Sequence, residues 1–398
     1  MNRPPRSGPV PSHRRGQRWA VTAVFFVNGV TFASWLPRIP EVRDRLDIGL
    51  GVLGAVLLGT GLGGLLASAA GGALVDRLGS RRSCVAAGVL LSLGLPLIAV
   101  ASTPVALAGI LVALGAVDVL TDIGMNVQAA QVQRESSASV MQRFHGAWSV
   151  GALTGAAVAS AAAAAEVSLG WQLLATSAVL VSTIAYASRH LSARDDPPAP
   201  QPDGTRRAPV LVLLAAVALA MAIVEGAPGE WAAVFGADVH DAGPGVAGLG
   251  YLAMSAGMVT GRFTGDAATD RLGPERVLRV ALGLVGVGLA VVVLSPSIAV
   301  AIAGFATIGL GVSVLFPALY LSAADREGIP AGLGLGVMST GARFGFLVSP
   351  PLVGVIAGAT SLRVALGLVV GSAAIAALTL EAALSRAGRP EAGAVQGR

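Results

Sequence analysis

Twelve mostly apolar stretches fill nearly all of this 398-residue chain, at about 18–36, 50–74, 83–101, 104–131, 140–165, 168–189, 209–235, 243–264, 276–294, 297–323, 331–357 and 361–382. A helix needs about 20 residues to cross the roughly 30 Å hydrocarbon core of a bilayer. Only helices and closed barrels satisfy their backbone polar groups there. The pattern reads as an all-α polytopic membrane protein with twelve transmembrane helices. Pro104, Pro209 and Pro296 stand at starts or turns, where proline costs least. Charged residues make up only 12% of the chain, against about 25% in a soluble domain. That is too few to cover a water-facing surface, which argues against a soluble enzyme and a disordered protein.

All 27 basic residues are arginines. They fall in small groups between apolar stretches, so no continuous basic face suits a nucleic acid. Their distribution sets orientation. With the N-terminus in the cytoplasm, about 22 arginines collect on that side, in the tail, near 77–82, 134–143, 189–207, 262–279 and 326, and at Arg386, Arg389 and Arg398. Only Arg38, Arg43, Arg45 and Arg363 fall on the other side. Both termini are expected in the cytoplasm, which requires an even number of crossings. The basic N-terminal tail followed by an apolar run looks like a signal peptide, but the run is long and lacks a small-x-small cleavage site, so it is read as an uncleaved first helix.

The longest polar interruption, 190–208, holds Asp195-Asp196-Pro197-Pro198 and Pro200-Gln201-Pro202-Asp203-Gly204. Such a segment is a linker rather than packed structure. The expected organisation is a cytoplasmic tail at 1–17, a six-helix bundle at 18–189, the linker at 190–208, a second six-helix bundle at 209–384 and a tail at 385–398.

The halves repeat. Asp76-Arg77-Leu78-Gly79 recurs as Asp270-Arg271-Leu272-Gly273, each copy after the second span of its half. Asn28-Gly29 and Ser34-Trp35 in span 1 correspond to Glu225-Gly226 and Glu230-Trp231 in span 7. Parallel repeats of this kind build alternating-access transporters with a site at the midplane. The stretch Gly72-Ala73-Leu74-Val75-Asp76-Arg77-Leu78-Gly79-Ser80-Arg81-Arg82 resembles the cytoplasmic loop 2–3 motif of the major facilitator superfamily, G-x-x-x-D-R-x-G-x-R-R. The second copy departs from it, with Asp266 in the place of the glycine and Gly265 beside it. The stretches Ser34-Trp35-Leu36-Pro37-Arg38-Ile39-Pro40, Met125-Asn126-Val127-Gln128 and Arg143-Phe144-His145-Gly146-Ala147-Trp148-Ser149 are similar to a YbjJ-type bacterial inner-membrane subgroup, distantly similar to fucose permease. The resemblance implies the major facilitator fold, two pseudo-symmetric six-helix bundles, and a place in the bacterial inner membrane. It also implies a cytoplasmic gate at Gly72, Asp76, Arg77, Gly79, Arg81 and Arg82, with its degraded copy at Asp270, Arg271 and Gly273. In that family the carboxylate at Asp76 meets the positive N-terminal end of helix 11 and latches the outward-open state.

Ionisable residues inside spans supply the candidate site. Asp118, Asp122 and Asn126 fall at i, i+4 and i+8 on helix 4 and share one face. Asp118 is about 21 Å beyond Pro104 at 1.5 Å per residue. A central Asp costs about 2.5–3.5 kcal/mol on the insertion scale, so this stripe should face the bundle interior or a cavity. Glu225 lies deep in helix 7, with Asn28 as its repeat mate in helix 1. His145 and Arg343 occupy equivalent places in helices 5 and 11. Arg343 needs an anionic partner, with Asp118, Asp122 or an acidic substrate group as candidates. His145 is either a helix-packing residue or a proton relay. Glu230 is placed nearer the interface, and Arg38, Glu41, Arg43, Asp44 and Arg45 in a solvated cap, although Arg38 could reach the cavity mouth. Trp19, Trp35 and Trp231 are expected as interface anchors. Gly59-Thr60-Gly61-Leu62-Gly63-Gly64 fits G-x-G-x-x-G but sits in an apolar span with no strand before it, so it reads as a helix-packing face. Gly257, Gly261 and Gly265, and Gly151 and Gly155, read likewise.

Cys84 allows no intrachain disulfide, and the four histidines are too scattered for a local metal pair. No metal site and no cofactor are expected. Nothing resembles a nucleotide-binding P-loop, so an ion or solute gradient must supply the energy, and buried acids suggest protons. A clustered nucleophile is lacking, so an enzyme is not expected. The working expectation is a monomeric secondary active transporter, proton-coupled, moving a small polar organic solute of sugar-like character. The alternative is proton-antiport efflux of amphipathic compounds or drugs, which would favour an apolar, aromatic cavity.

Overall fold

The structure, a computed structural model, describes residues 12–136, 140–193, 208–317, 319 and 331–387. Most of the linker and both chain ends lie outside the described residues. Twelve long helices follow in order: α1 (Ser12–Ala33), α2 (Leu50–Leu78), α3 (Ser80–Val100), α4 (Pro104–Arg134), α5 (Met141–Ala164), α6 (Leu169–Ala187), α7 (Ala208–His240), α8 (Leu249–Leu272), α9 (Pro274–Val293), α10 (Ile298–Val312), α11 (Ala331–Ala359) and α12 (Leu362–Ala387). A short helix, Ile39–Arg45, follows α1, and no strand occurs among the described residues. α1 starts at Ser12, inside the segment expected as a tail, and α12 runs to Ala387.

Eleven candidate spans among the described residues are long and apolar enough to cross a membrane. The helix that falls short is α8. Its 24 residues would span about 36 Å, but Arg262, Asp266, Asp270 and Arg271 lower its hydropathy. The sequence reading ended this span at 264 and left Arg262 in a loop; the helix continues to Leu272.

The repeat is visible in the backbone. α2 ends on Gly79 with φ 88°, and α8 ends on Gly273 with φ 79°. Each glycine also caps the following helix, so one left-handed residue turns the chain between two spans, a conformation glycine adopts without steric cost. Packing repeats as well. α1 runs along α5 as α7 runs along α11, and α2 along α4 as α8 along α10. Gly29 lies against the backbone of Trp148, and its counterpart Gly226 lies against the ring of Phe346. In lipid, where apolar burial does not drive helix association, small residues let backbones approach and make the contact. Gly59 and Gly63 do this against α4, as do Gly151 and Gly155 against α1 and Gly257 and Gly261 against α10.

Successive helices alternate in direction, so the start of α1 at Ser12 and the end of α12 at Ala387 lie on one side, called here the terminal face. At the opposite, far face the two halves meet. Gly54 of α2 packs against Pro350 and Gly354 of α11, and Gly245 packs against Ser160 and Ala164 of α5. Arg43 beside the short helix's end pairs with Asp238 of α7 across the halves. Toward the terminal face, Gly72 has nothing within 4 Å of the position a Cβ would take, and Asp76 is exposed.

Two expectations about this region change. Trp35 and Trp231 are buried, the latter completely, so they are packing residues; only Trp19 is exposed as an anchor would be. Arg38 is buried rather than solvated. It pairs with Glu41 at 2.6 Å and donates to Gln172 Oε1 at 3.3 Å. Burial is sustainable because each of the three guanidinium nitrogens has a partner, Nε and Nη2 on the Glu41 carboxylate and Nη1 on Gln172.

Candidate functional site

A cavity of about 410 Å³ lies between the two halves, walled by α1, α2, α4, α5, α7, α8 and α11. Asp118 and Asp122 enter it from α4, and Glu225 and Glu230 from α7. The i, i+4 spacing on α4 turns its two carboxyls toward the same space; on α7, where Pro228 lies inside the helix between them, Glu225 and Glu230 both line it. Glu230 thus belongs to the cavity wall and not to the interface. One of its oxygens, Oε2, is buried with no hydrogen-bond partner among the described residues.

The carboxyl of Asp118 is the most firmly held. Asn28 Nδ2 donates to Asp118 Oδ1 at 2.7 Å, and Trp148 Nε1 donates to Asn28 Oδ1 at 2.7 Å. This chain joins α5, α1 and α4 and fixes which way the Asn28 amide points. Asn126 lies off the cavity wall. Its Nδ2 donates at 2.9 Å to both the main-chain oxygen and Oδ1 of Asp122, so it orients that carboxyl from one turn away.

Arg262 of α8 is the residue sequence reasoning missed. It lines the cavity, donates through Nη1 to Ser149 Oγ on α5, and lies over the Trp148 ring at 5.6 Å from the centroid. It is within electrostatic range of Glu225 but forms no ion pair with it. His145 lines the same wall, its ring edge-on to Phe25 at 5.2 Å.

Arg343 departs from its expected role. It does not wall the cavity, and no ion pair to it exists among the described residues. Its field reaches Asp118 and Asp122, yet Nη1 is buried without a hydrogen-bond partner. The approach to the aspartates is electrostatic, across a gap too long for the direct salt bridge the sequence suggested. The remaining wall is apolar and aromatic, with Phe32, Trp148, Tyr251, Phe346 and three methionines, Met125, Met254 and Met258. Among the described residues no group of His, Cys, Asp and Glu could hold a metal ion.

Residues 21–330 match the family description Major Facilitator Superfamily. The chain belongs to that superfamily. It is a membrane transporter, and its family and relatives are transporters rather than enzymes. An uncharacterized MFS-type transporter of Yersinia pestis is 30% identical over 89% of this chain and 92% of its own length. Membrane protein MosC of Rhizobium meliloti is 29% identical over 94% and 93%. Among solved structures, a variant of the nucleoside transporter NupG aligns over 92% of this chain and 99% of its own at a TM-score of 0.74 and 12% identity. A bacterial homolog of the human lysosomal transporter Spinster aligns over 96% and 100% at 0.73 and 13%. At such identities the structural likeness speaks for the fold: this major facilitator chain has the superfamily's two-bundle architecture, with its cavity between the halves.

Proposed function

We propose that this transporter works by alternating access, is driven by protons, and moves a small polar organic solute of sugar-like character. The observation that carries the reading is the set of four carboxyl groups on one inter-half cavity, two from each half, beside the indole of Trp148 and the ring of Phe32. Carboxyls deep in a membrane protein are costly and mark ion or proton paths. Aromatic faces and fixed hydrogen-bonding groups suit a polyhydroxylated solute. In this reading Asp118, Asp122 and Glu225 carry protons or bind solute, and Asn28 and Asn126 orient the acids. His145 is a relay and Arg343 biases the aspartates. The terminal face is cytoplasmic, following the arginine asymmetry, and the membrane is the bacterial inner membrane. Gly72, Asp76, Arg77, Gly79, Arg81 and Arg82, with Asp270, Arg271 and Gly273, form the cytoplasmic gate. The motif stretches similar to the YbjJ-type subgroup, and through it to fucose permease, support the sugar-like character.

The test is a thermal-shift screen of purified protein against sugars, organic acids and amphipathic drugs, followed by proteoliposome uptake with and without an imposed pH gradient. Stabilisation by a polyol or sugar, with uptake that needs the gradient, supports the reading. The apolar, aromatic remainder of the wall and its three methionines favour a second reading, proton-antiport efflux of amphipathic compounds, because thioethers adapt to varied apolar shapes. Stabilisation by hydrophobic cations or drugs alone would select it.

The Arg43–Asp238 pair should hold the far face shut. Asp238→Asn is expected to shift the population toward far-face opening by about three- to tenfold, within the usual size of conformational coupling. Labelling of a cavity cysteine by an impermeant maleimide from the far face reads this shift, and the exchanged pair Arg43→Asp with Asp238→Arg should partly restore closure.

A further inference from the structure

We propose that Arg262 is the positioning residue through which the charge of Glu225 is communicated to the junction between α5 and α8. The inference rests on the proton-driven reading above. Arg262 stands between two competing acceptors. On one side it donates to Ser149 Oγ of the opposite half, over the face of Trp148. On the other lies Glu225, one helix away in its own half, near enough to attract it and not in contact. With Glu225 neutral, the guanidinium keeps Ser149 and the cross-half bond. With Glu225 ionised, a carboxylate able to take two parallel N–H bonds competes with the Ser149 hydroxyl and a long bond to the His145 main-chain oxygen at 3.5 Å. Arg262 then leaves Ser149, and the junction loses its polar tie at this depth.

The same residue touches the other acid centre indirectly. The ring beneath Arg262 is the Trp148 whose Nε1 holds Asn28, which in turn holds Asp118. Withdrawal of Arg262 frees the indole on which that chain depends. The other titratable or charged groups facing this space are Asp118 and Asp122 on α4, His145 on α5, Glu230 on α7, Tyr251 on α8 and, at longer range, Arg343 on α11. Arg343 is the cation in range of the two aspartates, which leaves Arg262 as the cation serving Glu225. A charged His145 would repel Arg262 from α5, opposite in sign to neutralising Glu225, so the two must be separated experimentally.

The sign is then defined. Low pH keeps Glu225 neutral and the junction tied. High pH ionises it and loosens the α5–α8 contact on the terminal side. Thr60, a cavity residue on α2, serves as reporter when changed to cysteine in a Cys84→Ser background. An impermeant maleimide is applied to the terminal face of vesicles between about pH 5.5 and 8.5. Each rate is divided by that of the same cysteine in unfolded protein, which removes the intrinsic titration of the thiol. The parent rate should rise about tenfold across this range, within the span of typical coupling free energies. Arg262→Gln and Glu225→Gln should each flatten the rise to less than about twofold, and Arg262→Lys should retain a reduced rise. The His145→Gln background should keep the rise and the effect of Arg262→Gln. Monodisperse elution of each variant guards against misfolding, and Arg262→Lys tests the site if Arg262→Gln does not fold. An Arg262→Gln profile that superimposes on the parent, while Glu225→Gln is flat, overturns the inference and leaves proton driving intact. A flat parent profile overturns the proton-driven reading and the inference with it.

Discussion

Glu225→Gln and Asp122→Asn are each expected to abolish solute accumulation driven by a pH gradient, while folded protein remains in the membrane. Both changes keep the size of the side chain and one carbonyl oxygen. Asn126 can still donate to the new amide at residue 122, as it does at 2.9 Å to the carboxyl. An ionisable group at the centre of a helix costs about 2.5–3.5 kcal/mol on the insertion scale, so its loss should not weaken insertion. What disappears is the capacity to bind and release a proton. Uptake against a gradient should fall by about 100-fold or more, the value of roughly 2.7 kcal/mol of lost coupling, whereas downhill solute exchange persists. The assay is proteoliposome uptake of whichever solute the thermal-shift screen returns, with counterflow as the exchange control. Full active accumulation in both variants would remove these residues as the coupling sites. Asp118→Asn should behave differently, because the donor from Asn28 that holds Asp118 would face an amide nitrogen in one of its two flip states. Loss of solute binding, more than loss of coupling, is the expected signature there.

Much of this architecture is legible in the chain because a bilayer imposes a one-dimensional code. Length and hydropathy give the spans, and the Asp-Arg-Leu-Gly repeat marks the ends of α2 and α8, where Gly79 and Gly273 take the same left-handed turn. Asp118 and Asp122 on α4 and Glu225 on α7 are legible for a similar reason, since nothing but a cavity or partner tolerates them, whereas Glu230 reads as interfacial from its nearness to the far end of its span. The errors have one common origin, which is that hydropathy says nothing of side-chain reach. Hydropathy ends the eighth span near 264, so Arg262 counts with the loop arginines at 262–279. The repeat contained the correction: α2 ends at Leu78 and its copy at Leu272, which sets Arg262 ten residues, about 15 Å, inside α8. A buried cation in a span calls for an anionic partner, and sequence leaves Asp118, Asp122 and an acidic substrate group open for Arg343; the described residues form no ion pair with it, although its field reaches both aspartates. Trp231 falls near the end of the span read at 209–235 and Arg38 just after α1, as interface anchors and caps do, yet the joined far face buries both. The chain from Trp148 through Asn28 to Asp118 spans 120 positions at its longest step and has no local signal at all.

Glycine substitutions should separate folding from gating. Leucine at Gly29 puts a Cβ onto the main-chain oxygen of Trp148 and close to the backbone of Ala152. Backbone atoms inside a helix cannot swing aside, so α1 and α5 must move apart and the chain from Trp148 to Asn28 breaks. Overpacking typically costs about 1–3 kcal/mol where side chains can yield, and more is expected here, against a total stability of about 5–15 kcal/mol. Gly29→Leu should therefore give little or no folded protein in detergent. Gly226→Leu meets the edge of the Phe346 ring, a side chain with room to rotate, and should fold with a lowered thermal midpoint. Gly72→Leu meets nothing within 4 Å and gains helix propensity of up to about 1 kcal/mol, so its midpoint should be equal or higher. If the motif around Asp76 is a gate, however, α11 must approach α2 at this level when the terminal face closes, and a leucine would stand in the way. Gly72→Leu should be stable, open to maleimide from the terminal face at every pH, and inactive in uptake. A variant of Gly72 that is stable and transports at the normal rate would mean that the two helices do not close over this glycine, and the gate would have to be sought elsewhere along α2.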